Sequence, residues 1–127
     1  MFRKSIILII ALLAVGLPAV QAQGGGRSTD PALNGTWVIE EGGEELEWTF
    51  TNGKFVMSAD DEDVTRGTYT TNGRNLTVVI TAMKFGTPDW ETDGSKFRQW
   101  PQFTYYTNGY ILTLTFGEKT LTFTRKR

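Results

Sequence analysis

With no His and no Cys, the carboxylates are where chemistry would have to reside. The two absences remove Ser-His and Cys-His nucleophile pairs and the usual zinc ligand sets. Carboxylates alone can still run hydrolysis in pairs or hold Ca²⁺, whose ligands are oxygens. Asp60-Asp61-Glu62-Asp63 puts four of them in one loop between two strand-like runs. That loop could bind calcium, or be a solvated turn whose charge repels edge pairing. Asp89-x-Glu91-x-Asp93-Gly94 imitates the start of a calcium loop, but the bidentate Glu due at the twelfth position is Trp100 instead. Glu44, Glu45, Glu47 and Glu118 fall on the polar phase of strands or in turns, where water would solvate them. The chain therefore reads as a non-enzyme, with no catalytic residue, metal or cofactor assigned.

Aromatic side chains are the other candidates, and they suit binding. Gly86–Pro101 holds Pro88, Gly94 and Pro101, yet also Trp90, Phe97 and Trp100. A plain polar connection would not need three large aromatics. The segment reads as a folded-over loop covering one end of the fold, where the three rings either line the mouth of a ligand site or plug it. Trp48, Met57 and Tyr69 are placed on strands and could touch the same ligand, or serve as core alone.

The elements that must position these residues are strands. In Leu46-Glu47-Trp48-Thr49-Phe50 apolar and polar residues alternate strictly, as in a half-buried strand. Asn-Gly follows at 52–53 and recurs at 72–73 and 108–109, each time between strand-like runs. Asn-Gly favours the positive φ angles of a tight type I′ hairpin turn. Strands are expected at about Thr36–Glu40, Leu46–Phe50, Lys54–Ala59, Thr65–Thr70, Asn75–Phe85, Gln102–Thr107, Tyr110–Phe116 and Lys119–Arg125. Gly117-Glu118 closes the last hairpin. The inward phase is Trp37, Ile39, Leu46, Trp48, Phe50, Phe55, Met57, Tyr69, Leu76, Val78, Ile80, Leu112, Leu114, Phe116, Leu121 and Phe123. An eight-stranded antiparallel meander with one apolar face must bury that face, and closing into a small barrel also removes its exposed edges. The fold class is all-β.

Met1–Ala22 has the features of a signal peptide: Arg3 and Lys4, the apolar run Ile6–Leu17, then Val20-Gln21-Ala22 at a cleavage site. The run is short for a membrane span, which needs about 20 residues. Residue 23 is Gln, so the cysteine of a lipid anchor is lacking. Residues 23–32 show no apolar period and read as a flexible leader. Residues 33–127 form one domain. Without Arg3 and Lys4 the chain carries 11 basic and 14 acidic residues, a net charge of −3. A mildly acidic surface speaks against a nucleic-acid partner. The expected location is exported, periplasmic or secreted.

Gly35-Thr36-Trp37 on the first strand, together with Arg125 on the last, resembles the lipocalin signature. In that family the strand-one Trp packs at the closed end of the barrel and an Arg from near the chain end lies across its ring. The resemblance implies barrel closure by Gly35, Trp37 and Arg125. Arg125 shares the strand phase of Leu121 and Phe123, so its guanidinium points inward and needs an aromatic face or backbone acceptors. The chain lacks the Thr-Asp-x-Tyr-type motif, the disulfide and the C-terminal helix of larger lipocalins. It is more similar to the short lipocalin-like domains that bacteria export. Gly35-Thr36-Trp37 with Gly67-Thr68-Tyr69 also resembles the avidin barrel. There a polar residue two after the Trp meets biotin; here it is Ile39, which disfavours biotin.

Three functions follow as expectations. The first is binding of a small apolar ligand inside the barrel, through Trp48, Met57, Tyr69, Trp90, Phe97 and Trp100. The second is a protein-binding module, such as an inhibitor of a secreted or periplasmic protease, with the leader as its arm. The third is a structural envelope domain without a ligand.

Overall fold

A computed structural model describes residues 28–126 except Asp61. The segment expected to be a signal peptide and the first five residues of the expected leader lie outside the described residues. Eight strands follow one another: β1 (Gly35–Glu41), β2 (Glu44–Thr51), β3 (Lys54–Ala59), β4 (Glu62–Asn72), β5 (Asn75–Met83), β6 (Phe103–Thr107), β7 (Ile111–Phe116) and β8 (Lys119–Arg125). Each pairs antiparallel with the next, and β8 returns to β1, so the sheet is a closed barrel. The alternation expected from the sequence is met: of the sixteen inward residues fifteen are buried, and Leu121 is half-buried.

The hairpin turns differ in one detail. Asn52 (φ 47°) and Gly53 (φ 93°) both have positive φ, as a type I′ turn requires. At the second and third Asn-Gly pairs only Gly73 and Gly109 do. Asn108 instead uses its side chain, whose Oδ1 accepts from the amides of Tyr110 and Ile111. A short polar side chain that bonds its own turn makes positive φ unnecessary there.

Two seams in the barrel are short. β1 meets β8 at Trp37↔Arg125 and Val38↔Thr124. β5 meets β6 only at Asn75↔Thr104 and Leu76↔Phe103, so most of β5 would present an open edge. The long loop between them covers that edge. Met83 and Glu91 exchange backbone hydrogen bonds at 3.0 and 2.7 Å. Further on, the Gln99 side-chain amide imitates a strand: Ile80 N–H donates to its Oε1 at 3.0 Å, and its Nε2 donates to the Ile80 carbonyl at 3.1 Å. Gln102 Nε2 adds a bond to Thr77 Oγ1. Buried edge groups are thus paired without a ninth strand.

The leader needs correction for its last five residues. Far from a plain tether, Ser28 exchanges backbone bonds with Thr71, where β4 overhangs β3. Asp30 caps a short 3-10 turn over Pro31–Leu33, and its other carboxylate oxygen accepts from the Tyr105 hydroxyl at 2.6 Å. Leu33 is fully buried. The reason is that Leu33 has an apolar seat at the barrel end, which a period-based reading of a Gly- and Ser-rich stretch does not reveal.

Burial first, and then the bond to Asp30 and its negative charge, push the Tyr105 phenol up to about 12 from an ordinary value of 10. The folded state therefore holds this proton more tightly than the unfolded chain. The stability it contributes is complete below pH 10 and is lost as pH rises toward 12. Melting temperature should fall over that window, and Tyr105→Phe, which has no proton to lose, should fall less. Parallel curves for the two proteins would refute this.

Candidate functional site: the barrel interior and its tryptophan loop

The closed end is built around Trp37, which is fully buried and donates its indole N–H to the Leu33 carbonyl at 2.9 Å. The Arg125 guanidinium carbon lies 4.2 Å from the Trp37 ring centroid. Its nitrogens donate to the carbonyls of Gly109 (2.7 Å), Asn34 (2.9 Å) and Ala32 (3.3 Å). The guanidinium thus has both an aromatic face and backbone acceptors. Gly35 makes room for it: at φ 130° it adopts a backbone few side chains tolerate, and a Cβ there would run into Arg125 Nη1. Asn34 ties the same end together. Its Oδ1 accepts from the Tyr69 hydroxyl (3.2 Å) and the Asn52 amide (3.0 Å), while its Nδ2 donates to Asn52 Oδ1. Burial, its largest influence, raises the Tyr69 phenol above its ordinary value. Gly35, Trp37 and Arg125 are brought together; Asn34 joins them although the sequence reading had assigned it no role.

Above this end the interior is aromatic. Trp48 stands at its centre, with Phe55, Trp100, Phe103 and Phe123 around it at ring-centroid distances of 5.3, 4.9, 6.4 and 4.8 Å. Trp100 reaches in from the loop, tilted 32° to Trp48 and near-perpendicular to Phe55 and Phe103. Met57 and Tyr69 are buried in the same core. Four of the six candidate ligand residues, Trp48, Met57, Tyr69 and Trp100, are therefore interior.

Trp90 is not among them. It lies half-buried against the outer wall, with the Arg66 guanidinium 4.1 Å and the Lys84 ammonium 4.9 Å from its ring centroid. Arg66 is exposed on β4, so these contacts are outside the barrel. Phe97 packs partly against the core and pairs with exposed Phe85 at 6.5 Å. The three loop aromatics do not form one ring around a mouth. The Met83–Glu91 bridge fixes the loop's first arm along β5 and turns Trp90 outward, whereas the Gln99 stitch aims Trp100 inward.

Interior polar groups complete the site. Trp48 Nε1, Trp100 Nε1 and Thr65 Oγ1 are all buried with no hydrogen-bond partner among the described residues. Thr65 and Trp48 share a cross-strand row, Trp37↔Trp48↔Met57↔Thr65↔Met83. Thr65 went unmarked because a Thr in a strand reads as solvent-facing. Thr65 shares the inward phase of Tyr69, and a register shift between Met57 and Ser58 turns Val64 inward beside it.

The carboxylates do not converge. Among the described residues no three acidic side chains could hold a metal ion, and Asp61 lies outside them. Asp63 accepts from Ser58 Oγ at 2.7 Å, and Glu62 approaches Lys84 at 3.8 Å. In the other acidic run, Asp93 accepts from the Ser95 amide and Glu91 from the Asp93 amide, and those bonds lower both carboxyls. They cap a short turn. Glu44 corrects another expectation: it is buried, because it shares the inward phase of Leu46, Trp48 and Phe50.

No family model, no curated protein and no solved structure matches the chain.

Proposed function

We propose that this chain is an exported, lipocalin-like binding protein that takes one small apolar ligand into its barrel, in the place Trp100 occupies. The observation that carries the reading is where Trp100 comes from. Trp37 and Trp48 are held on strands, whereas Trp100 fills the interior from a loop. A loop side chain can leave without unpairing the sheet. Its indole N–H has no partner among the described residues and would regain water outside, which lowers the cost of leaving. An eight-stranded barrel has room inside for side chains or one small ligand, so exchanging an indole for a ligand conserves packing.

The test is fluorescence titration with N-phenyl-1-naphthylamine. Wild-type protein should bind it, and Trp100→Ala should bind about tenfold more tightly, because the competing side chain is gone. A folded wild type and a folded variant that both ignore the probe up to about 100 μM would overturn the proposal.

A second reading, a protein-binding module, draws on Tyr106 and Tyr110, which are 56% and 68% exposed. Tyr110 borders a surface groove with Ile111, Thr124 and Lys126. Exposed tyrosines often anchor interfaces. On this reading the protein inhibits a secreted protease and loses the activity in Tyr106→Ala/Tyr110→Ala; no inhibition across serine, cysteine and metalloproteases would remove it.

A further inference from the structure

The shape and polarity of the place Trp100 fills specify more than an apolar ligand. We infer that the ligand is a flat, neutral aromatic molecule about the size of an indole, carrying a hydrogen-bond acceptor oxygen at its rim, as a quinone or aromatic ketone does. The inference rests on the proposed exchange of Trp100 for a ligand.

Flatness follows from the walls. Trp100 lies 4.9 Å from Trp48 at a 32° tilt, while Phe55 and Phe103 present themselves to it at 74° and 83°. One ring face plus two near-perpendicular rings favours a flat ring system, through offset and edge contacts, over a saturated chain. Neutrality follows from the lining. The rings around Trp100 carry no charge, and a bare charge among them would be expensive to bury.

The acceptor follows from the unpaired groups. When Trp100 swings out, Trp48 Nε1 and Thr65 Oγ1 remain, both on strands and both fully buried. An indole N–H can only donate, and a hydroxyl can donate too, so a rim oxygen satisfies either. The two residues lie on one inward row with Met57 between them, their backbones two strand spacings apart, or roughly 10 Å. A bicyclic ligand with an oxygen at one or both edges can offer an acceptor to either group. Buried donors are rarely left unmet in folded proteins, and one beside a removable plug, with a second on the same row, is accounted for by an acceptor-bearing guest.

Two probes of nearly equal shape test this: 2-methyl-1,4-naphthoquinone, and 2-methylnaphthalene, which lacks the two carbonyls. The chain has no Cys, so the quinone meets no thiol to add to it. Binding to the full mature chain would be followed by indole N–H resonances in ¹⁵N-labelled protein. The quinone should bind about tenfold more tightly, and the Trp48 indole proton should move downfield with the quinone alone. Trp48→Phe keeps an aromatic ring and removes the donor, so the ratio of quinone to hydrocarbon affinity should fall most of the way to one. Thr65→Val gives an independent second reading of the same loss.

Equal binding of the two probes would overturn the acceptor inference and leave the barrel's binding role standing. A bound water that keeps its contact with the Trp48 N–H after quinone addition would also overturn it. If neither of these probes nor N-phenyl-1-naphthylamine binds, the binding role itself falls.

Discussion

Trp37→Ala should lower the free energy of unfolding by about 4 kcal/mol, the loss expected when a large buried aromatic is cut back to a methyl group. The indole is fully buried at the closed end, so its removal leaves a hole that the strands cannot collapse into without breaking register. Two further losses act in the same direction. The Leu33 carbonyl loses its donor, and the Arg125 guanidinium loses the ring beneath it. A domain of this size has about 5–15 kcal/mol in all, so the variant should be close to unfolding. Urea denaturation followed by circular dichroism reads the midpoint and slope. Trp37→Phe separates the parts, because it keeps a ring and removes the N–H; it should cost about 1–2 kcal/mol. A Trp37→Ala cost under about 1 kcal/mol would mean that the end is not organised around this side chain.

The second large effect is expected at Gly67. Here β4 shifts register against β5, between Arg66 and Gly67. A Cβ at this position would collide with the Val79 carbonyl oxygen and carbon and reach 3.0 Å from Ile80 Cα. Those are backbone atoms in the neighbouring strand, and they cannot rotate away as a side chain can. Gly67→Ala must therefore push β4 from β5 at the bulge, costing about 2–3 kcal/mol by analogy with overpacked cores. The damage should be local as well as global. Amides of β5 around Ile80 should lose hydrogen-exchange protection, and with them the Gln99 stitch that aims Trp100 inward. Gly94→Ala is the control, since a Cβ there meets nothing within 4 Å; it should shift stability by less than about 0.5 kcal/mol. Equal effects at the two positions would show that close strand approach is not what Gly67 serves.

These two residues also mark how far the sequence could be read. Trp37 was legible because it opens a strict alternation and shares a strand phase with inward neighbours. Gly67 stood in a Gly-Thr-Tyr run, but no single-chain pattern says that a neighbouring carbonyl comes so close. The interior site was legible in the same uneven way. Trp48, Met57 and Tyr69 could be placed by period alone. The three loop aromatics could be recognised as important but not sorted, since a loop has no period to say which ring faces in. Their sorting depends on the Met83–Glu91 bridge and the Gln99 amide, which are long-range bonds between segments with no local signature.

By itself, then, the residue order determined the all-β class, the number of strands, their bounds to within about three residues, and most of the core. It could do so because side chains alternate across a strand with period two, whatever the strand pairs with. Only the tertiary structure decided that Val64 faces inward beside Thr65, that Ser28 to Leu33 belong to the barrel end, and that Trp100 fills the interior while Trp90 lies outside. Each of these follows from a bulge, a seam or an overhang between strands, and such features arise only when the sheet closes on itself.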